Sequence, residues 1–253
     1  MRICEIIFSP TGGTKKAADM LSQGLSDEIL TVDLTNSQTD FKQIPLAPED
    51  TAVIAVPSYG GRVPAPARDR ILKLKGNHAK AVLLCVYGNR AYDDTLAELS
   101  DLAEQSEFRV VAAVAAVAEH SIARRYAAGR PDAKDQETLR NFAQQIRKKL
   151  VMGSSQPLSL PGNRPYRKSG GASLIPKITK ACTQCGLCRE KCPVQAISAR
   201  NTGIVNPRKC ISCMRCVSVC PRSARKVSAA KLLAVNLALQ SACSRRKECE
   251  LFL

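Results

Sequence analysis

The segment CTQCGLCREKCP, Cys182 to Pro193, returns after a short polar connector as CISCMRCVSVCP, Cys210 to Pro221. Both halves follow the spacing C-x2-C-x2-C-x3-C-P, which places Cys182, Cys185, Cys188 and Cys192 in one run and Cys210, Cys213, Cys216 and Cys220 in the other. Three thiols on one tight loop reach three irons of a cubane 4Fe-4S cluster and leave the fourth to a cysteine elsewhere. Two such runs complete each other. Cys182, Cys185 and Cys188 share a cluster with Cys220, and Cys210, Cys213 and Cys216 share one with Cys192. Gly186 permits close approach of the backbone to sulfur, and Pro193 and Pro221 each close a short helical turn. Paired C-x2-C spacings also build structural zinc sites, but such sites rarely add a third cysteine at x2 and a Cys-Pro at x3, twice over. A disulfide framework needs a secretory context that nothing in the sequence supplies.

The paired run resembles the bacterial two-cluster ferredoxins from Cys182 to Pro221. Its setting is a chain of 253 residues, 45% hydrophobic and 24% charged, with no Trp. That length holds one substantial core and one small module. The opening MRICEIIFSP carries Glu5 inside its short apolar run and does not read as a signal peptide. The longest apolar run, Val110 to Ala118, is far too short to cross a bilayer. A cytoplasmic protein with no membrane span is expected.

The formal charge of +16 is uneven, because residues 1–172 hold 23 basic and 19 acidic side chains and residues 173–253 hold 15 and 3. Each oxidised cluster with its thiolates returns about two negative charges, which balances part of the excess. The remainder would steer an acidic redox partner protein or raise the reduction potentials. Nucleic acid is the usual alternative for such charge. The basic half has a single aromatic, Phe252, and so no stacking platform.

Residues 1–151 alternate strand and helix. Arg2–Phe8, Ile29–Leu34, Thr51–Val56, Ala79–Tyr87 and Phe108–Ala118 read as strands, several of them continuous apolar runs suited to the inside of a parallel sheet. Helical spacing appears at Thr14–Asp27, after Pro64, around Tyr92, Leu96, Leu99 and Ala103, and at Leu139, Phe142, Ile146 and Leu150. The pattern predicts an α/β, doubly wound five-stranded parallel sheet, whose ligands bind beyond the carboxyl ends of the strands.

The loops at those ends decide the rest. After the first strand, Ser9-Pro10-Thr11-Gly12-Gly13-Thr14 runs straight into a helix, a cradle for phosphate. It is not a nucleotide-triphosphate loop, because Lys15 and Lys16 follow Thr14 and no Ser or Thr comes after them. After the third strand comes Pro57-Ser58-Tyr59-Gly60-Gly61-Arg62, and after the fourth Gly88-Asn89-Arg90-Ala91-Tyr92-Asp93. Together the three loops resemble the flavodoxin family. The resemblance implies that Ser9, Thr11, Gly12, Gly13 and Thr14 hold the phosphate of FMN. It also implies that Pro57, Ser58, Tyr59, Gly60, Gly61 and Arg62 flank its ring, with Gly88, Asn89, Arg90, Tyr92 and Asp93 on the other side. Gly13 stands where flavodoxins often have a polar residue, and neither ring loop has Trp.

A flavodoxin-like domain followed by a small α+β ferredoxin-like two-cluster module resembles the flavodoxin-ferredoxin fusion proteins of bacteria and archaea. The expected divisions are 1–151 for the FMN-binding domain, 152–176 for a linker, 177–228 for the cluster domain and 229–253 for a C-terminal helix and tail. In the linker, Asn163, Arg164, Tyr166, Arg167 and Lys168 either pin the chain across the flavin edge or leave it mobile. Ala229–Ala242 reads as an amphipathic helix that docks on the module, on the sheet or on a second copy. Cys4 and Cys85 read as core thiols, and Cys243 and Cys249 as thiols outside the clusters.

Two functions follow. One is electron transfer between two 4Fe-4S clusters and FMN. The other is an FMN-dependent oxidoreductase that reduces a small acceptor such as a quinone, with His120 and Arg90 as candidate catalytic residues. Oligomeric state is not legible.

Overall fold

The computed structural model describes residues 1–153, 158–168 and 174–253. In its first part, β1 (Ile3–Ile7), α1 (Gly13–Ser22), β2 (Ile29–Asp33), β3 (Thr51–Pro57), α2 (Ala65–Ile71), β4 (Lys80–Tyr87), α3 (Thr95–Gln105), β5 (Arg109–Val117) and α4 (Ala133–Met152) follow one another. The five strands pair in parallel in the order β2-β1-β3-β4-β5. That order is the flavodoxin-like form of the doubly wound sheet.

The apolar runs behave as burial on both faces requires. Cys4, Ile6, Phe8, Ile54, Val56, Leu83 and Val117 face one core with Ile71, Leu96 and Leu99 from α2 and α3. Ile3, Ile7, Val53, Val82, Leu84 and Val114 face the other, with Ala17, Leu21, Leu139 and Ile146 from α1 and α4. Only β2, at the edge, is largely exposed. α4 begins in a capping box, in which Asp132 accepts the N–H of Asp135 at 3.1 Å and Asp135 accepts that of Asp132 at 2.9 Å. It ends at Gly153, whose φ of 70° is left-handed.

The second part contains β6 (Lys177–Ile178), α5 (Leu187–Glu190), α6 (Arg215–Ser218), β7 (Arg225–Lys226), α7 (Ala229–Cys243) and β8 (Glu250–Phe252). β6 and β7 form a small antiparallel pair. The end of the chain returns to the first part. β8 adds to the sheet as a sixth strand, antiparallel to β5, with Phe252 opposite Ala113. This strand has no signature in the sequence, since three residues carry no period.

One further expectation changes. α7 is not amphipathic: Val235 and Leu239 pack inward beside Ala123, Tyr126 and Cys243, but Leu233 and Leu237 on the outer side are about 60% exposed. The described part of the linker is pinned, to α3 and to the loop that precedes it. Asn163 donates its backbone and side-chain N–H groups to Asp94 at 2.8 and 3.0 Å. Arg164 pairs with Asp101, and Arg167 with Asp93. Residues 154–157 and 169–173 of that linker lie outside the described residues. Among the described residues no helix is long and apolar enough to cross a membrane.

The tail is locked by a buried ion pair. Arg130 and Asp135 are both within a few per cent of full burial, and Arg130 Nη1 also donates to the Lys247 carbonyl at 2.7 Å. Asp135→Asn leaves the guanidinium buried without its charge partner, and is expected to cost about 3–5 kcal/mol in urea denaturation. A loss within experimental error of zero would show that the pair does not hold the tail.

Candidate functional site

The carboxyl ends of β1, β3, β4 and β5 surround a cavity of about 340 Å³. The first loop enters it through Thr11, Gly13 and Thr14. Gly12 takes a φ of 92°, which lets the chain turn directly into α1. Behind it Ser9 is buried, and its hydroxyl accepts the N–H of Lys15 at 2.9 Å, so Ser9 shapes the helix start. Pro57, Ser58, Tyr59 and Gly60 line the cavity from the second loop, and Gly88 and Arg90 from the third.

Several residues of these loops face elsewhere and build the frame. Arg62 binds Glu98 through Nε at 2.7 Å and stacks over Tyr166. Asn89 Nδ2 donates to the carbonyls of Cys243 and Arg245 at 3.0 and 2.8 Å, which ties the end of α7 to the sheet. The Tyr92 hydroxyl donates to Glu250 of β8 at 3.0 Å. Asp93 pairs with Arg90 and Arg167, and a Cβ on Gly61 would strike Asp93 at 2.2 Å.

Beyond β5, Glu119, His120, Ser121 and Ile122 close one side of the cavity. His120 Nδ1 accepts the N–H groups of Ile122 and Ala123 at 3.2 and 3.0 Å. That tautomer carries its proton on Nε2. Burial, then the Arg90 charge, push the imidazole pKa below its ordinary value, so it is neutral near pH 7. The roof was not foreseen: Ile211 and Ser212, from the turn between Cys210 and Cys213, and Val235, Ala238 and Leu239 of α7 complete the cavity. Proximity in space of distant segments leaves no trace in a single sequence.

The eight motif cysteines gather around two smaller cavities. One is lined by Cys182, Cys185, Cys188 and Cys220, the other by Cys192, Cys210, Cys213 and Cys216. Each run turns through left-handed residues, Gln184 and Gly186 in the first and Ser212 and Met214 in the second. Ala196 and Ala224 donate their N–H groups to the sulfurs of Cys192 and Cys220, both at 3.3 Å. Among the described residues no three His, Cys, Asp or Glu side chains gather closely enough for a single ion. The thiols instead ring the cavity walls. Burial pushes Cys213 up to about 12 and Cys216 up to about 11. Burial opposes ionisation of Cys220 too, but the N–H groups of Ala224, Arg222 and Arg225 and the Arg225 charge hold it below the ordinary value. Thiols such as Cys213 ionise only when a metal supplies the opposing charge.

The two smaller cavities and the large one are neighbours. Burial, then the nearby Cys213 thiol, raise the Tyr59 phenol well above its ordinary range. The module is also fastened to the sheet edge, by Arg215 Nη1 to the Pro10 carbonyl at 3.1 Å and Gln195 Nε2 to Ser37 Oγ at 2.9 Å. Arg70 of α2 donates to the Pro193 carbonyl.

Comparison with known proteins separates the two parts. Residues 181–225 match the 4Fe-4S dicluster domain. The ferredoxin-like protein of the nif region of Sinorhizobium fredii is 39% identical over 51 residues, which are 17% of this chain and 80% of that protein. Ferredoxin-2 of Chlorobaculum tepidum is 38% identical over 52 residues, 18% of this chain and 84% of the relative. Among solved structures, the Streptococcus pneumoniae TIGR4 flavodoxin aligns over 58% of this chain and 99% of its own, at 18% identity and a TM-score of 0.42. A flavodoxin from the domain Archaea aligns over 60% and 99%, at 11% identity and a TM-score of 0.44. The strand order is what assigns the first part to the flavodoxin-like fold. Through residues 181–225 the chain belongs to the 4Fe-4S dicluster ferredoxins, and it joins that module to a flavodoxin-like sheet.

Proposed function

We propose that the chain is an electron-transfer flavoprotein that holds two 4Fe-4S clusters and FMN. Cys182, Cys185, Cys188 and Cys220 are the ligands of one cluster, and Cys192, Cys210, Cys213 and Cys216 those of the other. The composition of the two four-thiol cavities supports this division. When bound, the clusters exchange single electrons and the flavin one or two, so one chain can join pair and single-electron traffic.

The residues of the large cavity suit FMN at both ends. Thr11, Gly13 and Thr14 present hydroxyls and backbone N–H groups at the start of α1, where anions bind. Tyr59, Ile211, Val235 and Leu239 present the apolar and aromatic surface a flavin ring needs. Residues 1–151 form the flavin domain, 152–176 the connector, 177–228 the cluster domain, and 229–253 a helix and strand that close over the first. The basic excess of residues 173–253 favours an acidic redox partner.

One observation carries the reading. Ile211 and Ser212 stand between two cysteines of the second cavity and also line the large one, so a single turn is the wall of both. The Cys192, Cys210, Cys213 and Cys216 site is therefore the one beside the flavin, and the site with the exposed Cys185 is the outer one.

A second reading has support in His120. It is neutral, lies in the cavity lining beside Arg90, and has Nε2–H as its remaining donor. Such a group orients a carbonyl acceptor, for example a quinone oxygen, through a hydrogen bond from Nε2–H. Steady turnover of a quinone by the reduced protein favours this reading, and reduction without turnover favours the carrier.

Two measurements test the first reading. Anaerobic protein is expected to contain about eight irons and about one FMN per chain; colourless or zinc-loaded material would end it. Gly88→Ala places a Cβ 2.6 Å from His120 Cδ2. The displaced ring is expected to weaken FMN binding by about 1–3 kcal/mol, roughly five- to 150-fold, in a fluorescence titration. Unchanged affinity would place FMN elsewhere.

A further inference from the structure

Arg225 is about 1% exposed and heads the fully buried large side chains. Its position in the internal repeat makes it unusual. Ala196 and Ala224 each donate an N–H to the fourth cysteine of their run. The residue that follows is Ile197 in the first half and Arg225 in the second. Ile197 lines the cavity of Cys192, Cys210, Cys213 and Cys216, and Arg225 lines that of Cys182, Cys185, Cys188 and Cys220. Equivalent places in two similar sites therefore hold an aliphatic side chain and a cation.

Among the described residues no carboxylate pairs with that cation. Arg225 Nη1 donates to the Pro176 carbonyl at 3.0 Å, and Nη2 to the Thr202 carbonyl. Its Nε is buried without a partner among the described residues. From Lys191 to Lys247 the sequence contains no Asp or Glu. A guanidinium does not give up its proton, and burying one without a counter-charge is costly. The charge it lacks is what four thiolates around an iron-sulfur cluster supply.

We infer that Arg225 is the counter-charge of the Cys182, Cys185, Cys188 and Cys220 site and makes that site the more easily reduced of the two. The inference rests on the two-cluster reading above. Taking up one electron from an external reductant adds one negative charge to the site, with no bond made or broken and no proton moved. A fixed cation in the wall stabilises that added charge, and Ile197 at the equivalent place does not. Nη1 holds the carbonyl of Pro176 in the wall of the other cavity, so the field of Arg225 reaches that site too; Arg225 itself is part of the wall of the Cys182, Cys185, Cys188 and Cys220 cavity alone, and acts there more strongly.

The test is an anaerobic redox titration of the full chain followed by electron paramagnetic resonance, with iron and sulfide assays on every sample. The wild-type chain is expected to show two cluster potentials, of which Cys185→Ser abolishes or alters the higher. Arg225→Gln is expected to lower that potential by at least tenfold in the one-electron equilibrium, about 59 mV, and Arg225→Lys to restore most of the shift. The inference is overturned if Arg225→Gln keeps both clusters with unmoved potentials, if Gln and Lys shift them equally, or if Cys185→Ser alters the lower potential. Should Arg225→Gln fail to assemble, the Cys185→Ser assignment decides alone. A wild-type chain without iron would instead bring down the cluster reading, and this inference with it.

Discussion

A parallel sheet delivers the carboxyl ends of all its strands to one edge, and the site depends on what covers that edge. Here the cover is the Cys210–Cys213 turn of the cysteine module together with α7. Ile211 packs against the sheet core while its neighbours on either side, Cys210 and Ser212, belong to a cluster loop and to the cavity wall. The polar contacts from Arg70, Gln195 and Arg215 fix the same surface from its rim. Apolar packing at the centre excludes water, and the hydrogen bonds around it set the orientation.

Charge imposes the second constraint. A stretch from Lys191 to Lys247 that is basic throughout and has no carboxylate repels itself unless anions lie within it. Thiolates around an iron-sulfur cluster would put negative charge at the middle of the module. The surface keeps the remaining excess, in exposed groups such as Arg189, Arg200 and Arg222. One composition thus serves an interior need and presents a basic face to other molecules.

Legibility in the sequence followed the strength of the local demand. Cysteine spacing is dictated by bonds to be made, so it could be read residue by residue. The parallel strands were readable because burial on both faces forces unbroken apolar runs. β8 was not readable, since Glu250–Phe252 is a strand only because β5 offers it an edge. α7 carries an apolar surplus that reads as one apolar face, whereas the helix is apolar on its packed and its exposed sides. Polar residues in the ligand-edge loops carry a second role that a sequence does not display. Arg62, Asn89, Tyr92 and Asp93 have the chemistry of ligand contacts, and the fold also uses that chemistry to hold Glu98, the tail and the connector.

Those diverted side chains explain how a site made from three remote segments can hold its shape. Asn89 grips the end of α7, Tyr92 grips β8, and Asp93 with Asp94 grips the connector. All four partners leave from the loop that follows β4, so the loop that walls the cavity also anchors the segments that roof and flank it. The Cys210–Cys213 turn closes the remaining side. That turn is at once a wall of the large cavity and part of the lining of the Cys192, Cys210, Cys213 and Cys216 cavity, so a group held in either bears on the shape of the other. Neither half of the chain contains the whole site, which gives a physical reason for the two folds to be encoded as one polypeptide.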